Sequence, residues 1–276
     1  VQATDAPIRA ESWWTMNMED APTNPFGMAG YSASTYGDSF ADVYDEWYAD
    51  LDDADFVDGL VEALPQTPIR ILELGVGTGR LIAQLLALRP HVTDTIIGVD
   101  SSTPMLEAAR TREFPPHVSL QQGDFSSTLP EGQFDLIFVG YNTLFNLPDE
   151  NAMRSCFTLV ANHLAPEGTF AIDVVSPLAD QPGDHVSVRT MATNEVVLAI
   201  STHDAGAQRI TGQFVQFSEG ATARLRPWSV RYFTPAQLDA LATEAGLALV
   251  TRHADGIGTA YTPDSFRHVS RYSRAI

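Results

Sequence analysis

The sequence predicts an α/β chain whose core is a doubly wound, seven-stranded sheet, with a helical lid ahead of it and an antiparallel β insert roofing the ends of its strands. Three observations carry that prediction. From residue 69 to residue 175, short apolar strands alternate with segments of helical length and spacing, the order that gives a parallel sheet covered on both faces. The first strand ends in a turn of alternating glycines that runs straight into a helix. Beyond Pro177 the segments become extended and are joined by short turns until a helix returns at Thr234-Pro235, as expected of an antiparallel unit inserted late in the chain.

Taken in order, residues 1–30 are polar and rich in Ala, Pro, Met and Asn, with Trp13-Trp14 as the large apolar feature, and read as a flexible or wrapping arm. From Tyr36 to Leu64 the pattern is helical: Phe40, Val43, Tyr44, Trp47, Tyr48 and Leu51 recur at three- and four-residue steps, giving one aromatic face. Ile69–Leu74 is the first strand and Leu81–Leu88 the first core helix. Thr95–Val99 is a second strand closing on Asp100, followed by a helix to Arg110 with Thr103 as N-cap and Pro104 at its first position. Val118–Gln121 and Phe134–Val139 are the third and fourth strands. A helix over 150–164 buries Met153, Phe157, Val160 and Leu164, and the turn Ala165-Pro166-Glu167-Gly168 leads to the fifth strand, Thr169–Val174. The insert takes Val186–Thr190, Glu195–Thr202, Arg209–Phe217 and Thr222–Tyr232. A helix with Leu238, Leu241 and Ala245 on one side stops at Gly246. Ala248–Arg252 and Phe266–Tyr272 then complete the sheet along an antiparallel edge. The division expected is an arm (1–30), a core (31–185 and 233–276) and a cap (186–232).

Composition narrows the function. The chain has 276 residues, 44% of them hydrophobic, which suits one core with an elaboration. Its net charge is -19, and all sixteen basic residues are arginine. Such a surface repels phosphate backbones and anionic lipid, so nucleic-acid and membrane partners are not expected, and a substrate of cationic character is favoured. The one cysteine, Cys156, falls on a predicted helix and reads as core, and no metal site is expected. No run approaches the ~18 apolar residues that span a bilayer and no signal-peptide core is read, so the expectation is a cytoplasmic protein.

The glycine turn carries the chemistry. Gly75, Gly77 and Gly79 follow a Gly-x-Gly-x-Gly rhythm directly after Glu73, and Arg80 stands where the dinucleotide fingerprint needs Gly or Ala. Glycines let the backbone turn tightly and come close to a ligand, and the helix opening at Arg80 points free N–H groups at an anionic end of it. A plain strand-to-helix turn uses the same residue types. The spacing resembles motif I of class I S-adenosylmethionine-dependent methyltransferases, which are Rossmann-like. The resemblance extends through Asp100, Gly123-Asp124-Phe125, Gly140-Tyr141-Asn142 and the turn at 165–168, strongly over residues 36–175. It implies S-adenosyl-L-methionine as cofactor and S-adenosyl-L-homocysteine as product. Glu73, Gly75, Val76, Gly77, Gly79, Arg80, Ser101, Met105, Gly123 and Tyr141 would contact the cofactor. Asp100 would take the ribose hydroxyls, Asp124 the exocyclic amine of the adenine, and Phe125 would flank the ring.

The run from Tyr36 to Tyr48 resembles the N-terminal helix of bacterial N-methyltransferases acting on amino sugars and related small natural products, on the strength of Tyr36, Phe40 and Tyr44-Asp45-Glu46-Trp47-Tyr48. The resemblance implies that Tyr36 and Tyr44 line the transfer site near the sulfonium, with Asn142 and Phe145 of the segment 142–146 facing them. Aromatic faces attract such cations by ~0.5 to 2 kcal/mol per contact. Amine methylation needs no protein base, whereas a hydroxyl acceptor needs one, for which His185, His203, His253 and His268 are candidates. None stands in a recognisable motif; His163 reads as a helix-end residue. The expected function is N-methylation of a small-molecule acceptor. The alternatives are O-methylation of a sugar or metabolite hydroxyl with a histidine base, and a non-catalytic cofactor-binding subunit. A homodimer is left open.

Overall fold

The computed structural model describes residues 24–49, 54–176 and 182–275. Trp13-Trp14 and Leu51 lie outside the described residues. The chain begins with three short helices, α1 (Thr35–Phe40), α2 (Tyr44–Trp47) and α3 (Ala54–Glu62). The core follows as β1 (Arg70–Leu74), α4 (Arg80–Leu88), β2 (Thr95–Asp100), α5 (Thr103–Arg110), β3 (Val118–Gln122), β4 (Phe134–Val139), α6 (Glu150–His163) and β5 (Leu164–Val175). The insert comprises β6 (Gly183–Met191), β7 (Glu195–Asp204), β8 (Arg209–Ser218) and β9 (Arg224–Arg231), and the chain closes with α7 (Pro235–Glu244), β10 (Leu247–His253) and β11 (Arg267–Arg274).

The seven core strands lie in the order β10-β11-β5-β4-β1-β2-β3, and the insert forms a separate sheet, β6-β7-β8-β9. Strands β1 to β5 pair in parallel, while β10 and β11 pair antiparallel. The inner strands are near-continuous apolar runs because helices cover both faces. On one face, Phe56, Val57 and Leu60 of α3 meet Leu81, Ile82 and Leu85 of α4; on the other, Met153, Phe157 and Val160 of α6 meet Leu238 and Leu241 of α7. The expected turn at 165–168 appears as an interruption of β5, since Phe134 pairs with Leu164 and the next partners are Leu136 and Thr169. Cys156 is buried in the core, as expected. Among the described residues no helix is long and apolar enough to cross a membrane.

Two expectations need correcting. The helix predicted from Tyr36 to Leu64 is broken after Phe40, where Val43 leaves the helical region (φ -121°, ψ -3°). The cause is tertiary: Arg226 of β9 takes the Ser39 carbonyl and the Asp42 carboxylate, which rewards a turn here over a further helical turn. The N-cap of α5 is Ser102 rather than Thr103; the Ser102 hydroxyl accepts the Met105 amide at 3.3 Å.

A buried pair seals the bottom of the sheet. Arg89 donates to Asp94 at 2.7 and 3.0 Å and to the Pro65 carbonyl at 3.0 Å, while Asp94 also accepts the Ile69 amide at 3.0 Å. Removing one member strands a buried charge. Asp94→Ala is therefore expected to lower the urea-unfolding free energy by about 3 to 5 kcal/mol.

Candidate active site

The site lies at the carboxyl ends of the parallel strands, where open α/β sheets bind ligands. The turn after β1 is built from left-handed glycines, Gly75 (φ +71°), Gly77 (φ +54°) and Gly79 (φ +77°), a region L side chains avoid. The amides of Gly75 and Val76 donate to the Val99 carbonyl at 2.8 and 2.9 Å, locking the turn to the end of β2. Asp100 then accepts the Gly77 amide at 2.8 Å and the Ser102 amide at 2.8 Å. Burial raises the Asp100 pKa above the ordinary carboxylate value, opposed by those amides.

Gly75, Gly77, Asp100, Ser101, Met105 and Phe125 line one cleft, roofed by Ala33, Tyr36 and Gly37. A recess beside it is lined by Glu73, Val76, Arg80 and Tyr141. The residues fit the expected cofactor. A Cβ added at Gly77 would meet nothing within 4 Å, so the floor of the turn is open to a ligand. Asp100 offers carboxylate lone pairs to a diol, Met105 and Phe125 offer apolar flanks to a ring, and the start of α4 offers N–H groups to an anion. Three predicted residues stand behind this lining. Gly79 caps α4 and packs toward Phe114, and Gly123 donates to the Asp100 carbonyl at 3.0 Å. Asp124 accepts the Ser126 amide at 2.8 Å and hydroxyl at 2.7 Å.

A second cavity of about 500 Å3 adjoins the cleft, within the range of small-molecule sites. One wall is Tyr36, Tyr44, Tyr48 and Tyr141; the opposite wall comes from the insert, with Phe214, Trp228 and Val230. Tyr36, Tyr44, Thr143 and Asn146 border both spaces, so they stand where a group passes from one to the other. Burial raises the pKa of the Tyr36 and Tyr44 hydroxyls above the ordinary phenol value. Tyr36 donates to the Tyr48 hydroxyl at 3.2 Å, and Tyr44 is hydrogen-bonded by Arg80. At the floor, Arg267 grips Asp173 at 2.6 and 3.0 Å and Asp55 at 3.1 to 3.2 Å; Asp173 is 2% exposed.

Phe145 does not face the tyrosines. Tyr141 and Asn142 both adopt left-handed backbone (φ +48° and +62°), a strained pair that starts a 3-10 turn over Thr143–Asn146. Residues three apart in such a turn share a face, so Thr143 and Asn146 meet the cavity while Phe145 is fully buried, 6.2 Å from the Phe233 ring. Asn142 lines the cavity and is held by its amide on the Asp173 carbonyl at 2.9 Å. Sequence reasoning missed Thr143, Asn146, Asp173 and the insert residues. The signal for Asp173 was present, an acid at a strand's carboxyl end like Asp100. None of the candidate histidines lines the cavity. His203 is buried against the Tyr232 hydroxyl at 2.9 Å, and His268 sits in the core with Nδ1 2.9 Å from the Ser270 hydroxyl. Among the described residues no His, Cys, Asp and Glu cluster of three or more is placed to hold a metal ion.

Comparison with known proteins adds to this geometry. A family described as a methyltransferase domain matches residues 71–168. The structure of the CcbJ methyltransferase from Streptomyces caelestis superposes with a TM-score of 0.80 at 35% identity, over 89% of this chain and 100% of that one. A cypemycin N-terminal methyltransferase from Streptomyces sp is 27% identical over 199 residues, 71% of this chain and 79% of the relative. A trans-aconitate 2-methyltransferase from Deinococcus radiodurans is 33% identical over 135 residues, 48% of this chain and 47% of the relative.

Two outcomes follow. Asp100→Ala is expected to weaken S-adenosylhomocysteine binding by about 1 to 3 kcal/mol in calorimetric titration, the cost of unmatched hydroxyls. Burial, with help from the nearby Arg252 charge and against Asp239, holds the His268 pKa down at about 4. Neutral in the fold, it favours the folded state above pH ~6.5, and that stability drains as pH falls from 6.5 to about 4. Wild type should lose up to roughly 3 kcal/mol over that window relative to His268→Asn, read by urea unfolding at each pH.

Proposed function

The chain belongs to the class I S-adenosylmethionine-dependent methyltransferases that act on small molecules, and from that premise we propose that it methylates an amine nitrogen by direct in-line transfer. The observation that carries the proposal is the lining of the junction between cleft and cavity. Tyr36, Tyr44, Thr143 and Asn146 present neutral hydroxyls, an amide and aromatic faces, and burial moves the two phenols further from ionising. Among the described residues, the other ionisable groups lining the cavity besides tyrosine are Asp173 and Arg267, bound to each other. An amine that has shed its proton to water needs no base; a hydroxyl does.

When bound, S-adenosylmethionine supplies a methyl group on a sulfonium and leaves as S-adenosylhomocysteine. The protein's part is alignment, which can supply ~7 to 11 kcal/mol through proximity and orientation. We assign Asp100 and the glycine turn to holding the cofactor, Tyr36 and Tyr44 to flanking the transferred methyl with ring faces that suit developing cationic charge, and Thr143 and Asn146 to orienting the acceptor nitrogen. Residues 186–232 act as the acceptor cap in this reading. The relative named for the N-terminus of cypemycin supports nitrogen. The trans-aconitate relative is named for a carboxylate substrate, but the arginine that lines this cavity among the described residues, Arg267, is spent on Asp55 and Asp173.

The test is methyl uptake from S-adenosylmethionine by matched amine and alcohol acceptors, read by mass spectrometry. Uptake by amines is expected, with kcat/KM rising through the acceptor's own pKa; uptake by alcohols alone would overturn the proposal. Tyr44→Phe, which loses the bond to Arg80, is expected to lower kcat roughly tenfold, about 1.4 kcal/mol, with little change in cofactor affinity.

A further inference from the structure

Arg226 is the most deeply buried cation of the insert, 1% exposed, and it lines neither the cofactor cleft nor the acceptor cavity itself. Its two terminal nitrogens reach the end of α1, the turn that follows it and the neighbouring strand β8. Nη1 donates to the Ser39 carbonyl and to Asp42 Oδ1 at 2.6 Å, and Nη2 donates to Asp42 Oδ2 at 3.1 Å and to Gln216 at 3.0 Å. The plane also lies 5.3 Å from the Trp47 ring. A cation on a helix's last carbonyls is favourable in its own right, and the forked contact to Asp42 fixes direction as well as distance.

The same short helix is fastened on its other side to the cofactor cleft. Asp38 accepts the Ser102 hydroxyl at 2.7 Å, and Ser101 donates to the Ala33 carbonyl at 3.0 Å. There is no slack between α1 and α5, since a Cβ at Gly37 would lie 2.4 Å from Ser102 Cβ. Over seven residues, then, Tyr36 and Gly37 line the cleft and Asp38 holds Ser102 beside it, while Ser39 and, just past the helix, Asp42 meet the insert. A displacement of β9 must be transmitted to the roof over Asp100.

We propose that Arg226 is a positioning residue: through Asp42 and Ser39 it couples the acceptor roof to the helix that closes the cofactor cleft, so that the insert sets cofactor affinity from outside the cofactor site. The coupling rests on the reading of the Gly75–Asp100 cleft as the cofactor's seat. It predicts cofactor effects from residues that touch no cofactor, which a merely structural part of the insert would not produce.

The experiment is a double-mutant cycle on S-adenosylhomocysteine dissociation constants measured by calorimetry on the full chain. Arg226→Gln and Asp42→Asn are each expected to weaken binding at least about fivefold. The double variant should be no weaker than the worse single, because the two changes break one link. Arg226→Lys should recover part of the loss, keeping the charge without the fork. Asp42 is partly exposed and provides a foldable variant if Arg226→Gln does not fold. Wild-type affinity in Asp42→Asn, or additive losses in the double variant, overturns the coupling. Wild-type affinity in Asp100→Ala would instead remove the cofactor's seat, and the coupling with it. Impaired Asp100→Ala beside unimpaired Asp42→Asn sinks the coupling alone.

Discussion

The hydrogen bond from the Gly77 amide to the Asp100 carboxylate is the constraint from which the site is built outward. It exists because β1 and β2 are parallel neighbours in register, so the turn after one strand meets the acid that ends the next. The other oxygen of Asp100 holds the Ser102 amide and so fixes the start of α5. The Ser102 hydroxyl then holds Asp38 of α1. Three links carry order from the middle of the sheet to the lid, and each is satisfied by a polar group that burial would otherwise penalise.

The lid itself has little core of its own. Among the described residues, Phe40 and Val43 form a small buried cluster with Met105 of α5, packed by Tyr36, Tyr44, Trp47 and, from the insert, Phe214 and Trp228, and polar clamps hold it on both sides. On the cofactor side, Asp45 accepts the Thr78 hydroxyl and Arg112, both at 2.6 Å, and Arg112 also binds the Thr78 carbonyl. On the insert side, Arg226 and Arg224 bind Asp42, while Arg189 donates to the Trp47 carbonyl at 2.6 Å and lies over the Trp47 and Phe214 rings. Bonds of this kind contribute about 1 kcal/mol each.

The acceptor cavity shows the same division of labour. Its floor is the Asp173–Arg267–Asp55 cluster, in which each charge has a partner, and its walls are aromatic. A buried cluster of this sort is weak as a source of stability; its effect is to pin the ends of β5 and β11 beneath the Tyr141–Asn142 bend. The strained bend then turns Thr143 and Asn146 toward the ligand spaces.

The parallel core, the glycine turn, Asp100 and the antiparallel insert were legible in the sequence, because strand and helix periods and glycine's access to left-handed backbone are local properties that tertiary packing here did not contradict. Tyr36 and Tyr44 came from the resemblance of the run 36–48, and both border the two ligand spaces. The break after Phe40 was not: periodicity favours one continuous helix, and only Arg226, over 180 residues away, makes the turn cheaper. Phe145 was set beside the tyrosines by resemblance; which of residues 143–146 meets the ligand spaces depends on the hand of the bend at Tyr141. The acceptor cavity belongs to the tertiary structure altogether, because its opposite walls come from α1 and α2 on one side and β8 and β9 on the other, and no local signal reports how two distant segments face each other.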